Sequence, residues 1–153
     1  MKTDTDFMRL ALEEAGIAAS KGEIPVGAVV VREGQVLSRA HNLNRTLSDP
    51  SAHAEMLAIR EACRVLGNER LTGCGLFVTK EPCAMCAGAI VHARIARVVI
   101  AARDEKYGAC GTVLHVCGDP RLNHAPELVF GVEETEASAL LRDFFKRLRA
   151  GKE

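Results

Sequence analysis

The sequence has no net charge, because its 20 lysine and arginine residues are balanced by 20 aspartate and glutamate residues. General nucleic-acid binders are usually basic, so this balance disfavours broad, unselective binding to DNA or RNA. It remains compatible with a protein that selects one small folded loop of nucleic acid through local patches of charge.

Long hydrophobic runs and a secretory signal are also missing. The longest apolar stretches, such as residues 24–31, are far shorter than the roughly 20 residues that cross a bilayer. Residues 1–6 are polar and acidic, which is unlike a secretory signal. We therefore expect a cytoplasmic protein with no membrane partner.

No internal repeat, low-complexity tract or linker interrupts the chain. Its 153 residues, of which 48% are hydrophobic and 26% charged, are predicted to form a single domain (residues 1–153) that buries a substantial core. Six cysteines occur, and without an export signal they favour metal binding or reactivity over a disulfide framework.

Hydrophobic periodicity and turn residues predict the element order α-β-β-α-β-α-β-β-α. The predicted helices cover residues 4–20, 53–66, 82–92 and 134–149. The predicted strands are a hairpin over residues 26–40 and single strands over residues 75–79, 98–101 and 128–132. Loops are predicted over residues 41–51 and, with one short helix, over residues 102–126. Helical crossovers after the hairpin favour a layered α/β sheet with helices on both faces.

A cysteine pair and an upstream histidine form the motif with the clearest chemistry. Cys83 and Cys86 follow Pro82, which suits the first turn of a helix, where free N–H groups and the helix dipole favour thiolates. Together with His53 they make three ligands, and a hydrolytic zinc keeps its fourth position for water. The pattern therefore predicts one catalytic Zn²⁺ per chain, with Glu55 as the catalytic group that carries protons.

Other interpretations of this motif are open. Cys83 and Cys86 follow a strand and open a helix, which also suits a thioredoxin-type redox pair. A structural zinc site would need a fourth ligand, for which the candidates are Cys74, Cys110, Cys117, His92, His115 and His124. If the protein is a deaminase, the motif specifies removal of an amine from an aromatic ring but does not specify which ring. A free base or nucleotide of guanine or cytosine type is therefore an alternative substrate.

Several other residues carry weaker signals when they are considered singly. Asn42 lies in a loop and is typical of a turn, and Phe145 is typical of core or edge packing. Arg103 and Lys106, in a loop that contains glycine, are typical of ordinary surface charge.

The combination His-x-Glu followed by Pro-Cys-x-x-Cys is the signature of zinc-dependent nucleobase deaminases. Over residues 7–149 the chain resembles the bacterial tRNA-specific adenosine deaminases, a branch of the cytidine-deaminase-like superfamily. The zinc motif is shared by the whole superfamily, whereas the later segments point to the tRNA branch. The matching segments are residues 23–28, 49–55, 81–89, 102–104 with Lys106 and Gly108, 123–124 and 143–145.

The resemblance implies a three-layer α/β/α cytidine-deaminase-like fold, with a five-stranded mixed sheet between helices on both faces. It implies a homodimer in which loops of both chains shape the substrate groove. The implied reaction is zinc-dependent hydrolysis of adenosine to inosine at the wobble position of a tRNA anticodon stem-loop, with an arginine tRNA as the expected substrate.

The resemblance also implies roles for particular residues. His53, Cys83 and Cys86 match the zinc ligands, and Glu55 matches the proton shuttle. Three further positions match substrate-binding residues. Asn42 matches the residue that holds the purine edge, Asp104 matches one near the anticodon backbone, and Phe145 matches one on a wall of the groove.

Overall fold

Four α-helices and five β-strands make up the part of the chain that the computed structural model describes, residues 1–151. The helices are α1 (Asp4–Ser20), α2 (Ala54–Leu66), α3 (Ala84–Ala93) and α4 (Glu134–Ala150). The strands are β1 (Gly27–Arg32), β2 (Gln35–His41), β3 (Cys74–Lys80), β4 (Arg97–Ala102) and β5 (Glu127–Phe130). The predicted order of elements is confirmed, and a short 3₁₀ helix at Val116–Gly118 is the helical turn expected within the loop after β4.

The observed element boundaries differ from the predicted ones by at most two residues, and three of the differences have a clear physical cause. α2 and α3 begin one and two residues late, because His53 and Cys83 keep an extended backbone and act as N-caps. β5 ends at Phe130 rather than at Val132, because Gly131 adopts a φ of 90° that turns the chain out of the sheet. Both predicted zinc ligands at helix starts therefore lie just outside regular helix.

The five strands form one mixed sheet in the order β2-β1-β3-β4-β5. β1 is antiparallel to both β2 and β3, whereas β3, β4 and β5 run parallel. Lys80 pairs with Ala102, so the carboxyl ends of β3 and β4 lie side by side at one edge of the sheet. In open α/β sheets this edge is where ligands bind.

Helices cover both faces of the sheet, which confirms the three-layer arrangement. Strand residues alternate between two apolar clusters: Leu76 and Val78 pack on the side of α2 and α3, and Phe77 packs on the side of α1 and α4. Ala58 of α2 and Met8 of α1 belong to these two clusters, one on each side. Among the described helices, none is both long enough and apolar enough to cross a membrane.

α1 lies so close to β1 that no side chain fits at Gly27. A Cβ atom there would come within 1.9 Å of the Ala11 carbonyl oxygen and 2.7 Å of the Ala15 backbone nitrogen. We predict that Gly27→Ala lowers the free energy of unfolding by about 1–3 kcal/mol, because α1 must move away from the sheet. Denaturant unfolding measures this change.

Gly16, on α1 itself, offers the matched control. Apart from the backbone of its own helix, no described atom lies within 4 Å of a Cβ placed there. Gly16→Ala should raise the free energy of unfolding by roughly 0.5–1 kcal/mol, since alanine restricts the unfolded chain. Equal stabilities of the two variants would contradict the close packing of α1 on β1.

Candidate active site

The N-termini of α2 and α3 meet beside the carboxyl edge of the sheet and bring the predicted metal ligands together. His53 is the N-cap of α2, Cys83 is the N-cap of α3, and Cys86 lies in the first turn of α3. The Nδ1 atom of His53 lies 3.5 Å from the Cys83 sulfur and 3.4 Å from the Cys86 sulfur. All three ligand atoms lie within 4.8 Å of one another.

These separations fit a single tetrahedral zinc ion. With Zn–S and Zn–N bonds of about 2.3 and 2.0–2.1 Å, a tetrahedral angle places nitrogen and sulfur about 3.6 Å apart. The observed distances of 3.4 and 3.5 Å match this value. In the described chain, the group contains three ligands, as a catalytic zinc requires, so the fourth position is left for water.

Four of the six candidates for a fourth ligand have other partners, and none of the six belongs to the metal group that the described residues form. The sulfurs of Cys110 and Cys117 lie 3.3 Å apart and contact each other. The ring of His124 bonds to the Ile95 carbonyl oxygen at 2.6 Å, and the Cys74 thiol points to the Thr72 carbonyl oxygen. The metal group that the described residues form excludes all of these, which argues against a structural four-ligand site.

Hydrogen bonding already favours negative sulfur at the ligand group. The contacts that Cys86 and His53 make with Cys83 lower the pKa of the Cys83 thiol to about 3. The same contact with Cys83, together with burial, raises the pKa of Cys86. Metals bind cysteine as thiolate, so zinc must displace the Cys86 proton, and metal binding is accompanied by proton release.

Glu55 lies in the first turn of α2 and is only 4% exposed. Burial raises the pKa of its carboxyl group, and the nearby His53 opposes this rise. A carboxyl group that is shielded from water and adjacent to the metal ligands is suited to accept and release a proton during the reaction. This placement agrees with the predicted role of Glu55.

Asn42 lies beside the metal group and is buried, unlike a turn residue on the surface. Its Oδ1 accepts a hydrogen bond of 2.8 Å from the backbone N–H of Ala54, the first residue of α2. Asn42 thus caps α2, the helix that begins after His53 and carries Glu55. The side chain of His53, the N-cap residue itself, makes no capping hydrogen bond. Among the described residues, none accepts a hydrogen bond from the Nδ2 of Asn42, and this atom is not fully enclosed, so the donor keeps access to solvent.

Asp104 and Phe145 occupy different surroundings. The Asp104 carboxylate accepts bonds from the backbone N–H groups of Lys106 and Tyr107 and pairs with Lys80 at 3.1 Å. Burial opposes its ionisation, but these partners outweigh burial and lower the pKa of Asp104.

Phe145 packs edge-on against Phe144 of α4. In the described chain, α4 contacts α1, β3 and β4 but neither α2 nor α3. Within one chain, the fold therefore brings Asp104 to the edge of the site but leaves Phe145 apart from it.

Glu81 begins the matched segment 81–89 but has no assigned role there, and the structure places its carboxylate at the centre of the loop after β4. This carboxylate is 2% exposed and accepts hydrogen bonds from Asp104, Cys110 and Thr112. The sequence carries one signal for this role. Glu81 is an acidic residue between an apolar strand and Pro82, a position at which a solvated side chain is not expected.

A three-layer fold with a His-Cys-Cys group at two helix N-termini and a buried glutamate beside it defines a zinc-dependent deaminase. Residues 1–102 match the family model described as the cytidine and deoxycytidylate deaminase zinc-binding region. The protein is therefore a hydrolytic deaminase with a zinc site, and the redox interpretation of Cys83 and Cys86 is set aside.

Comparisons with known proteins over nearly the full length of the chain identify its family within this class of deaminases. The chain is 50% identical to a tRNA-specific adenosine deaminase of Aquifex aeolicus over 143 residues, 94% of either chain. It is 48% identical to that of Bacillus subtilis over 152 residues, 99% of this chain and 94% of the relative. A solved structure from a study of A-to-I editing by tRNA:A34 deaminases at the wobble position of transfer RNA matches with a TM-score of 0.87 and 47% identity, over 90% of this chain and 99% of that one. The chain belongs to the tRNA-specific adenosine deaminase family.

Proposed function

We propose that this protein, as one deaminase domain, hydrolyses adenosine to inosine at the wobble position of a tRNA anticodon, with an arginine tRNA as its substrate. The observation that carries the proposal is the fit of His53, Cys83 and Cys86 to one zinc ion with Glu55 beside them, in a chain of this family. An anticodon loop offers unstacked bases, so the target base can reach a buried site. A tRNA substrate also agrees with a cytoplasmic location.

The residues of the site divide the reaction between them. Zinc held by His53, Cys83 and Cys86 would supply a Lewis acid that activates water for attack on the ring. Glu55 accepts a proton from the attacking water and delivers it to a ring nitrogen, and it then accepts the proton of the added hydroxyl group and delivers it to the departing amine. The sum is adenosine plus water giving inosine plus ammonia. Burial of Glu55 keeps these protons from exchanging with bulk solvent.

Asn42 is proposed to bind the purine edge through its Nδ2 group, while its Oδ1 caps α2. We predict that Asn42→Asp keeps the cap, because a carboxylate oxygen accepts the Ala54 N–H equally well, but loses the donor towards the base. The value of kcat/KM should fall roughly 10- to 100-fold, as for loss of one buried hydrogen bond. Kinetics on an anticodon stem-loop and thermal unfolding measure the two effects.

Asn42→Ala is the comparison variant, because it removes both interactions. It should lose the same activity and also about 1–2 kcal/mol of stability through the missing cap. An Asn42→Asp variant with wild-type kcat/KM would contradict the proposed contact with the purine.

The decisive experiment on function uses zinc-loaded protein and an unmodified arginine tRNA whose wobble base is adenosine. Sequencing of the product should show inosine at that base and at no other adenosine. A parallel panel of free bases and nucleosides, followed by ammonia release, tests the alternative of a guanine- or cytosine-type deaminase. Ammonia from a free base, with the tRNA unchanged, would replace the proposal with that alternative.

The proposal includes a homodimer, with Asp104 near the anticodon backbone and Phe145 on a wall of the groove. Large apolar side chains are exposed in the loop between β4 and β5, which is typical of contact with a partner. They are Tyr107, Val113, Leu114 and Leu122. A groove shared by two chains would also allow Phe145 of one chain to line the site of the other, since α4 lies apart from α2 and α3 within one chain. Sedimentation analysis of the zinc-loaded protein tests the dimer.

A further inference from the structure

Glu81 lies where two chain segments that build the site are hydrogen-bonded to each other. It is the first residue after β3, and its backbone N–H donates a 2.8 Å hydrogen bond to the carbonyl oxygen of Ala102, the last residue of β4. One segment continues from Glu81 through Pro82 to the metal ligand Cys83. The other continues from Ala102 into residues 104–112, here called the β4 loop.

The Glu81 carboxylate is bound entirely by the β4 loop. Oε1 accepts a hydrogen bond of 3.1 Å from the Asp104 N–H and another from the Thr112 hydroxyl. Oε2 accepts hydrogen bonds of 3.0 Å from the Cys110 N–H and 3.2 Å from the Thr112 N–H. No lysine or arginine among the described residues forms an ion pair with Glu81, so backbone and hydroxyl dipoles alone hold this buried charge.

Packing reinforces these hydrogen bonds at Gly108. A Cβ atom at Gly108 would lie 2.5 Å from the Glu81 carboxyl carbon and 2.5 Å from the Asp104 carbonyl oxygen. The next residue, Ala109, donates a 2.8 Å bond to the Pro82 carbonyl oxygen. The β4 loop is therefore fixed directly on the segment that leads to the metal ligand.

The β4 loop and the residue before it present positive charge at this edge of the site. Arg103 stacks on the Phe130 ring at 3.9 Å and donates a 3.3 Å bond to Thr112, the residue that Glu81 holds. Lys106 is exposed. In the described chain, neither Arg103 nor Lys106 forms an ion pair, so both cations are available to the phosphates of an RNA loop.

From these contacts we propose that Glu81 is a positioning residue that holds the β4 loop in its RNA-binding conformation. It touches neither the substrate nor the metal, and it acts through the Asp104, Cys110 and Thr112 groups that it anchors. Its loss should weaken binding of the RNA while leaving the metal group and the chemical step intact. This inference rests on the proposed function, because it takes RNA as the substrate.

The test replaces Glu81 with glutamine, which keeps the size of the side chain but sets an NH₂ donor against N–H donors of the β4 loop. In zinc-loaded protein without RNA, amide exchange in residues 104–112 should rise roughly 10-fold while zinc stays at one per chain. With an anticodon stem-loop, Kd and KM should both rise roughly 10-fold while kcat changes by less than about 3-fold.

Two further variants control the experiment. Glu69→Gln also removes one negative charge, but Glu69 is exposed between α2 and β3, away from the β4 loop, and makes no side-chain hydrogen bond in the described chain, so exchange and KM should stay at the wild-type values. Gly108→Ala keeps Glu81 but forces the β4 loop away from it, so it should reproduce the effects of Glu81→Gln. It also serves as the test if Glu81→Gln does not fold.

The outcomes separate this inference from the proposed function. Wild-type exchange and wild-type KM in both Glu81→Gln and Gly108→Ala would overturn the positioning role, with the RNA activity intact. Loss of zinc together with a fall in kcat would also overturn it, since Glu81 would then support the metal ligands. Wild-type protein that neither binds nor deaminates the stem-loop would defeat the proposed function and this inference together.

Discussion

Replacing Glu55 with glutamine is expected to leave zinc in place and to lower kcat by roughly 10²–10⁴-fold, the usual contribution of a general acid–base group. The amide fills the same volume but cannot take a proton from water or deliver one to the ring. Glu55 is not needed as a ligand, because His53, Cys83 and Cys86 form the metal group without it. Single-turnover kinetics and metal analysis of the purified variant measure both effects.

The same substitution should not destabilise the protein. Burial raises the pKa of Glu55, which means that the fold disfavours the charge that catalysis requires. The neutral amide of the Glu55→Gln variant removes this charge, so the unfolding midpoint should be equal to or above that of wild type, as in other trade-offs between stability and activity. Glu61→Gln, at a partly exposed site on the same helix, is the matched control and should keep full activity. Full turnover in the Glu55 variant would refute the proposed mechanism.

The sequence was sufficient to predict the features that depend on local spacing. The two residues between Cys83 and Cys86 and the helix start after Pro82 fix both sulfurs near one point, and the structure brings His53 to them. The helical crossovers after the hairpin likewise predict helices on both faces of the sheet, and the observed core lies on both faces. Such features follow from backbone geometry over a few residues.

The features that the sequence did not reveal depend on contacts between distant segments. Asn42 was typical of a turn, because nothing near it in the sequence indicates that its side chain caps a helix that begins at Ala54. Glu81 binds groups that lie 23 to 31 residues further along the chain, in a loop without periodicity. Helical periodicity placed Phe145 on an amphipathic helix but could not show which elements that helix contacts.

Cys83→Ser is expected to remove zinc and stability together. A serine hydroxyl at this site stays protonated and is a poor zinc ligand, so two ligands remain where three are required. Because zinc binds the folded chain and not the unfolded one, its loss removes the linked stabilisation, which is about 4 kcal/mol at a free zinc concentration 1,000-fold above Kd. Removal of zinc from wild-type protein with a chelator should lower the unfolding free energy by a similar amount.

The chelator separates loss of zinc from general damage to the core. It should lower the midpoint of wild-type protein but leave that of Cys83→Ser unchanged, because the variant has no bound zinc to lose. Cys63→Ser is the matched control: this cysteine lies on α2 outside the metal group, so the variant should keep one zinc per chain and respond to the chelator as wild type does. One zinc retained per chain of Cys83→Ser would mean that the three ligand atoms, despite their tetrahedral spacing, do not hold the metal.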